Sequence, residues 1–113
     1  MRREVEREGE LTRLAAPFSV RSIAWKNSAL VNVCDAELVG TTLSEGKLKM
    51  HISKDFFGGE LVEEDEVVKI IKDSSILSLA GVRSVNVALA NKLGSPQAVR
   101  EIQGVPFLMI YKF

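Results

Sequence analysis

Lys47-Leu48-Lys49-Met50-His51-Ile52-Ser53 alternates polar and apolar side chains without a break. A period of two marks a strand with one buried and one wet face. Leu48, Met50 and Ile52 are therefore expected inside, and Lys47, Lys49, His51 and Ser53 in water. Ser44-Glu45-Gly46 supplies the turn before this strand. Upstream, residues 18–25 and 29–34 read as two strands joined through Lys26-Asn27-Ser28, a hairpin. Asp35 and Gly40 bracket a short turn or a single helical turn.

Downstream the period changes. Val67, Ile70 and Ile71 lie at helical spacing over residues 63–73, behind Glu63-Glu64-Asp65-Glu66, and a helix N-terminus favours such negative charge. No capping side chain stands at Val62. Residues 75–80 are apolar and short, fitting a buried strand or a helical turn. Val82, Val85, Leu89 and Leu93 form the stripe of a helix over 82–93, which Gly94 and Pro96 stop. Residues 105–111 are nearly all apolar, as in a strand covered on both faces, with Pro106 at its start. The order predicts one α+β domain over residues 17–113, with N-terminal antiparallel strands and hairpins, two central helices and a C-terminal buried strand. Residues 1–16 are highly charged and weakly periodic. They read as a frayed helix or as an arm disordered alone, whether it orders on a partner or is an incidental extension.

The 113 residues are 46% apolar and 27% charged, ordinary for one globular domain. Net charge is zero, so no global basic field draws in nucleic acid. The charge is nonetheless segregated. Residues 1–33 carry six Lys/Arg against four Asp/Glu, residues 34–73 five against ten, and residues 74–113 four against one. Basic ends around an acidic middle point to a polar partner. A single cysteine excludes an internal disulfide and fits a reducing compartment. No apolar run approaches the roughly 20 residues of a membrane span, and the charged N-terminus is unlike a secretory signal. A soluble, cytoplasmic chain with no membrane partner is expected.

Few side chains here can make or break bonds. His51 is the only histidine, and its alternation places it beside Lys47 and Lys49 on the wet side of a strand. Zinc sites need several His and Cys ligands, and Cys34 is the only other one. No metal or cofactor is expected. Cys34 next to the Asp35 carboxylate lacks the cations that would lower its pKa, so it reads as a small buried hydrophobe. Gly58-Gly59 follows neither phosphate-loop pattern, and the acids after it would repel a phosphate. A turn with positive φ at one or both glycines, with Phe56 and Phe57 folded back as a lid, is expected. The acid run reads as a solvated first turn; a hard-cation site is the other reading, without EF-hand spacing. Lys47, Lys49, Lys54, Arg83, Lys92 and Arg100 are the candidate phosphate contacts. Aromatic residues for base stacking are scarce outside the expected core, which argues against single-strand recognition by stacking. Trp25, at a hairpin end, is expected to pack there.

Cys34-Asp35-Ala36-Glu37-Leu38-Val39-Gly40, Glu45-Gly46-Lys47-Leu48, Phe56-Phe57-Gly58-Gly59, Leu79-Ala80-Gly81 and Gly104-Val105-Pro106 follow one another in an order that resembles an uncharacterised archaeal family, domain of unknown function 424. The resemblance runs from about residue 20 to the C-terminus and leaves residues 1–16 outside. The family pattern has Phe-Tyr-Gly-Gly at Phe56-Phe57-Gly58-Gly59, Asn-Leu-Val-Gly at Ser78-Leu79-Ala80-Gly81, and often a histidine where this chain has Phe107. The last two departures remove polar side chains of the pattern, which argues against a catalytic role built on them. The resemblance implies an archaeal cytoplasmic protein with a compact α+β fold and no established activity. Small archaeal proteins of this kind often belong to translation or RNA handling, an analogy of kind rather than of site.

Three functions compete. The first is a non-catalytic binding protein attached to the ribosome, its RNA or another protein of translation. The second is a small-ligand or nucleotide-related enzyme using the Gly58-Gly59 turn, with Asp35, Glu37 and Glu60 as its carboxylates. The third is a homo-oligomer, or a subunit completing another protein's sheet, through the C-terminal strand.

Overall fold

The computed structural model describes residues 17–112, without the side chain of Trp25, so the charged arm of residues 1–16 and the packing of Trp25 lie outside the described residues. Strand β1 (Phe18–Trp25) turns at Lys26 and Asn27 and returns as the antiparallel β2 (Ser28–Asp35). A 3-10 turn (Ala36–Leu38) leads into a separate hairpin of β3 (Thr42–Glu45) and β4 (Leu48–His51). Then come the one-turn helix α1 (Lys54–Phe57), β5 (Glu60–Val62) and α2 (Glu64–Asp73). The chain continues as β6 (Ile76–Ala80), α3 (Val82–Ala90), a second 3-10 turn (Pro96–Ala98), β7 (Arg100–Ile102) and β8 (Val105–Tyr111). The fold is α+β, as the pattern predicts.

Six strands form one sheet in the order β5-β1-β2-β6-β8-β7. Only β2 and β6 run parallel; the other neighbours are antiparallel. A parallel pair needs a long crossover, and here β3 to α2 fill it. The register sorts side chains onto two faces. Val20, Val33, Leu79 and Leu108 form one row, and Val31, Leu77 and Ile110 another. Both pack under α2 and α3, against Val67, Ile71, Val85 and Ala88. Each fully buried side chain of this kind contributes about 1.5–3 kcal/mol. The opposite face begins with the row Ser19, Cys34, Ala80 and Phe107, covered by the hairpin and α1 through Leu43, Ile52 and Phe57. Two hydrogen bonds hold the hairpin there: Ser44 N donates to Gln103 Oε1 at 2.8 Å, and Gln103 N donates to Glu45 Oε1 at 2.6 Å.

Several sequence expectations need correction. Leu48, expected inside, is 59% exposed. It pairs with Glu45 beside the hairpin's turn, beyond the apolar contacts that Leu43 and Ile52 make. The helix over 82–93 ends at Ala90, and Val82 of the expected stripe is exposed; the buried face is Ser84, Val85, Val87 and Ala88. Strand β8 is not covered on both faces. Its burial alternates, with Leu108 and Ile110 inside and Met109 and Tyr111 exposed, because the hairpin roofs only one end of the second face.

Neither Gly58 nor Gly59 has positive φ; Gly58 sits at φ −79°. The pair serves close approach instead. A Cβ on Gly59 would overlap the Val20 carbonyl oxygen and lie 2.8 Å from its carbon. A Cβ on Gly58 would lie 2.6 Å from the Lys54 carbonyl oxygen. Ser19 fixes this junction, donating from Oγ to the Phe57 carbonyl and accepting from Gly59 N, both at 2.9 Å. Phe57 is buried against the Cys34 row, whereas Phe56 stands edge-on to it with ring centroids 5.0 Å apart and is 40% exposed.

Candidate functional site

Asp35 ends β2, and Gly81 follows the end of its parallel neighbour β6. The first N–H groups of α3 therefore open towards Asp35, and a helix N-terminus needs acceptors there. Asp35 supplies them. Its Oδ2 accepts from Arg83 N at 3.1 Å, and its Oδ1 accepts from Ser84 N and Ser84 Oγ, each at 2.8 Å. Gly81 at φ +110° makes the fit possible, since a Cβ there would lie 2.5 Å and 2.7 Å from the two carboxylate oxygens. Arg83 closes the cluster: it pairs with Glu37, donates to the Pro17 carbonyl at 3.3 Å and stands over the Phe18 ring at 5.0 Å. The anion place at this helix N-terminus is thus filled from within the chain.

The adjoining Cys34 is fully buried, and its Sγ donates to the Asp35 carbonyl at 3.3 Å. Burial, then the Asp35 and Glu37 carboxylates, push its thiol up to about 12. Native protein at about pH 8 should therefore resist iodoacetamide, while denatured protein should take up one equivalent by mass spectrometry. Rapid labelling of the native protein would contradict this burial.

Several of the motif residues adjoin this cluster. Cys34, Ala80, Phe57, Val105 and Phe107 share a core, and Gly81 N donates to the Pro106 carbonyl at 2.9 Å. Gly40 N donates to the Ile52 carbonyl at 2.6 Å, tying the hairpin down. Gly104, at φ +79°, forms the β7–β8 turn. Gly58 and Gly59 line a hollow of about 380 Å³ with Lys54 and Leu61. None of the three proposed carboxylates lines it: Asp35 is the helix cap, Glu37 pairs with Arg83, and Glu60 is exposed on the edge strand β5. Among the described residues no three His, Cys, Asp or Glu side chains cluster as a metal site would require.

The open end of the second face is different. Past the Cys34 row come Arg21, Asn32, Ser78 and Met109, then Ile23, Leu30, Ile76 and Tyr111. Arg100, paired with Phe107, extends the Cys34 row on the same side. The charged side chains in these three rows are Arg21 and Arg100; none is acidic. Hairpin, α1 and sheet enclose a cavity of about 530 Å³ there, whose lining includes Met50, His51, Phe56, Phe107, Met109 and Arg100. Asn32 Nδ2 donates to the Phe56 carbonyl at 2.8 Å and so fixes α1 at its edge, leaving Asn32 Oδ1 buried without a partner. His51 Nδ1 is 2.9 Å from Thr42 Oγ1. Three of the departures from the family pattern, Phe57, Ser78 and Phe107, line this cavity.

The six candidate cations divide. Arg100 lines the cavity, Lys47 and Lys49 lie on the hairpin beside it, and Lys54 opens α1. Arg83 and Lys92 belong to α3 and its end, across the sheet, and Arg83 is committed to Asp35 and Glu37. Arg21 is a cation that the sequence reading passed over. Only strand register reveals it, because it shares a row with Asn32, Ser78 and Met109.

A family model described as "Protein of unknown function (DUF424)" matches residues 25–113. The crystal structure of an uncharacterized conserved protein from Methanopyrus kandleri is similar in fold, with a TM-score of 0.75 and 22% identity, over 85% of this chain and 91% of that one. No curated protein matches. Among the described residues no helix is long and apolar enough to cross a membrane.

Proposed function

The chain belongs to the DUF424 family of proteins of unknown function, and from that premise we propose that it is a non-catalytic, RNA-associated binding protein of the translation machinery, working in the cytoplasm of an archaeal cell. One observation carries the reading: the open sheet face, where Arg21 and Arg100 flank Phe56, Met109 and Tyr111 and no acidic side chain intervenes. The sequence argues against stacking because its aromatics read as core, but Phe56 and Tyr111 are exposed on this face; arginines meet phosphates and exposed aromatics meet bases, so such a face suits single-stranded RNA. The groups an enzyme would use are committed elsewhere. Cys34 is sealed in the core, Asp35 caps α3, and His51 is exposed and bonded to Thr42. The acidic first turn of α2 lies under the opposite face, so the zero net charge conceals two unlike surfaces.

Sedimentation of an archaeal lysate at low salt tests the proposal. Co-migration with ribosomal particles, and RNA crosslinks to the protein, are expected. A protein that stays at the top of the gradient without crosslinks would overturn the reading.

A second reading draws on β8. Strand β7 pairs with Val105, Pro106 and Phe107, and among the described residues no strand covers the outer edge of β8 beyond them. Such an edge accepts a strand from a second copy or another protein. Light scattering at rising concentration tests this; a constant monomer mass would exclude self-pairing.

A further inference from the structure

The cavity beneath the hairpin joins soft apolar walls to an arginine at its rim. Its volume of about 530 Å³ falls in the range that encloses a small ligand. Phe56, Phe107, Met50 and Met109 give it soft apolar walls, and Ser53 and Ser78 contribute hydroxyls. Its charged or titratable lining is Arg100 and His51, with no carboxylate. The cavity between α2 and α3, by contrast, is lined by Glu63, Glu64 and Asp65, and the one beside β7 by Glu101. Apolar planar walls with a cationic rim complement a flat ring that carries an anion.

Arg100 can still make the contact. Arg100 spends Nη1 on the Gln97 and Val99 carbonyls at 3.1 Å and 3.3 Å, which orients the guanidinium and leaves its remaining N–H groups for an acceptor. His51 is held through Nδ1 by Thr42, which leaves Nε2 as its second polar atom, donor or acceptor according to the tautomer. Phe56 is fixed from behind, its carbonyl held by Asn32 and its N–H by Ser53 Oγ at 3.1 Å, while its ring stays 40% exposed. A ring held in place but left uncovered loses little entropy when a base stacks on it.

We propose that this cavity takes one unstacked base of a single-stranded RNA, the base against Phe56 and Met109 and an adjoining phosphate at Arg100 and His51. This rests on the RNA-binding reading and makes it specific. A duplex would not satisfy the cavity, because its bases are stacked away and only a splayed base can enter a concave site.

The test is fluorescence anisotropy with a fluorescein-labelled single-stranded RNA of about ten nucleotides, at low salt, on the full chain. Phe56→Ala should weaken binding roughly tenfold, the loss expected when one stacking partner goes. Arg100→Gln should weaken it severalfold and flatten its salt dependence. Lys92→Gln, across the sheet, should leave it unchanged. Phe56 and Arg100 are both exposed, so the variants should fold, and their thermal melts check this. If the wild type binds but Phe56→Ala and Arg100→Gln bind equally well, the cavity is not the site, while the RNA reading survives. If the wild type does not bind at all, the RNA reading falls and takes this inference with it.

Discussion

Asp35→Ala should lower the melting temperature by about 15 °C. The carboxylate is buried and accepts three hydrogen bonds, from Arg83 N, Ser84 N and Ser84 Oγ. Truncation strands all three donors at the start of α3 and leaves the Arg83 guanidinium with Glu37 and the Pro17 carbonyl. Loss of a helix cap costs about 1 kcal/mol, and a buried donor left without a partner about 1–3 kcal/mol. A total of about 3 kcal/mol is a large part of the roughly 5–15 kcal/mol of a domain this size. Asp35→Asn keeps an acceptor for Ser84 but turns an amide towards Arg83 N, so an intermediate loss is expected. Thermal melts of the three proteins decide. An Asp35→Ala protein as stable as the wild type would show that the cap does not hold β2, β6 and α3 together.

Gly59→Ala should be the more damaging change, leaving little folded protein at 37 °C. The new methyl runs into the backbone of β1: the Val20 carbonyl oxygen in overlap, its carbon at 2.8 Å and Arg21 Cα at 3.0 Å. Backbone in a paired strand cannot swing aside as a flexible side chain can. Either β5 leaves β1, losing the pairing from Phe18 to Val20, or α1 lifts from the Cys34 row and uncovers Phe57. Exposing Phe57 alone costs about 1.5–3 kcal/mol, and the broken pairing adds to it. The expected cost exceeds about 4 kcal/mol, the range reserved for severe core lesions. Urea denaturation checks it. A midpoint within error of the wild type would mean that the glycine pair is a plain turn.

What the sequence discloses and what it hides follow from the range of each interaction. The β1–β2 hairpin was legible because its turn residues and strand composition are local. So was α2, whose Val67 and Ile71 are buried at the expected spacing. Strand β3 was passed over because Thr42-Leu43-Ser44-Glu45 offers one apolar residue and half of it resembles a turn. Strands β5 and β7, three residues each, are too short to show a period. The glycine pair was misread because its constraint comes from Val20, distant in sequence. The open face was hidden for a different reason. Phe107, Met109 and Tyr111 are as apolar as Leu108 and Ile110 between them, so composition could not show which members of β8 stay uncovered. Arg21 was missed in the same way, since only pairing with Asn32 sets it on that face.

The sheet face opposite α2 and α3 is the proposed binding surface. Titrating the ¹⁵N-labelled chain with unlabelled single-stranded RNA tests it most directly. Amide signals of Leu30, Asn32, His51, Ser78, Arg100 and Met109 should move, and those along α2 and α3 should stay where they are. Shifts concentrated on α2 and α3, or none on the open face at saturating RNA, would contradict it.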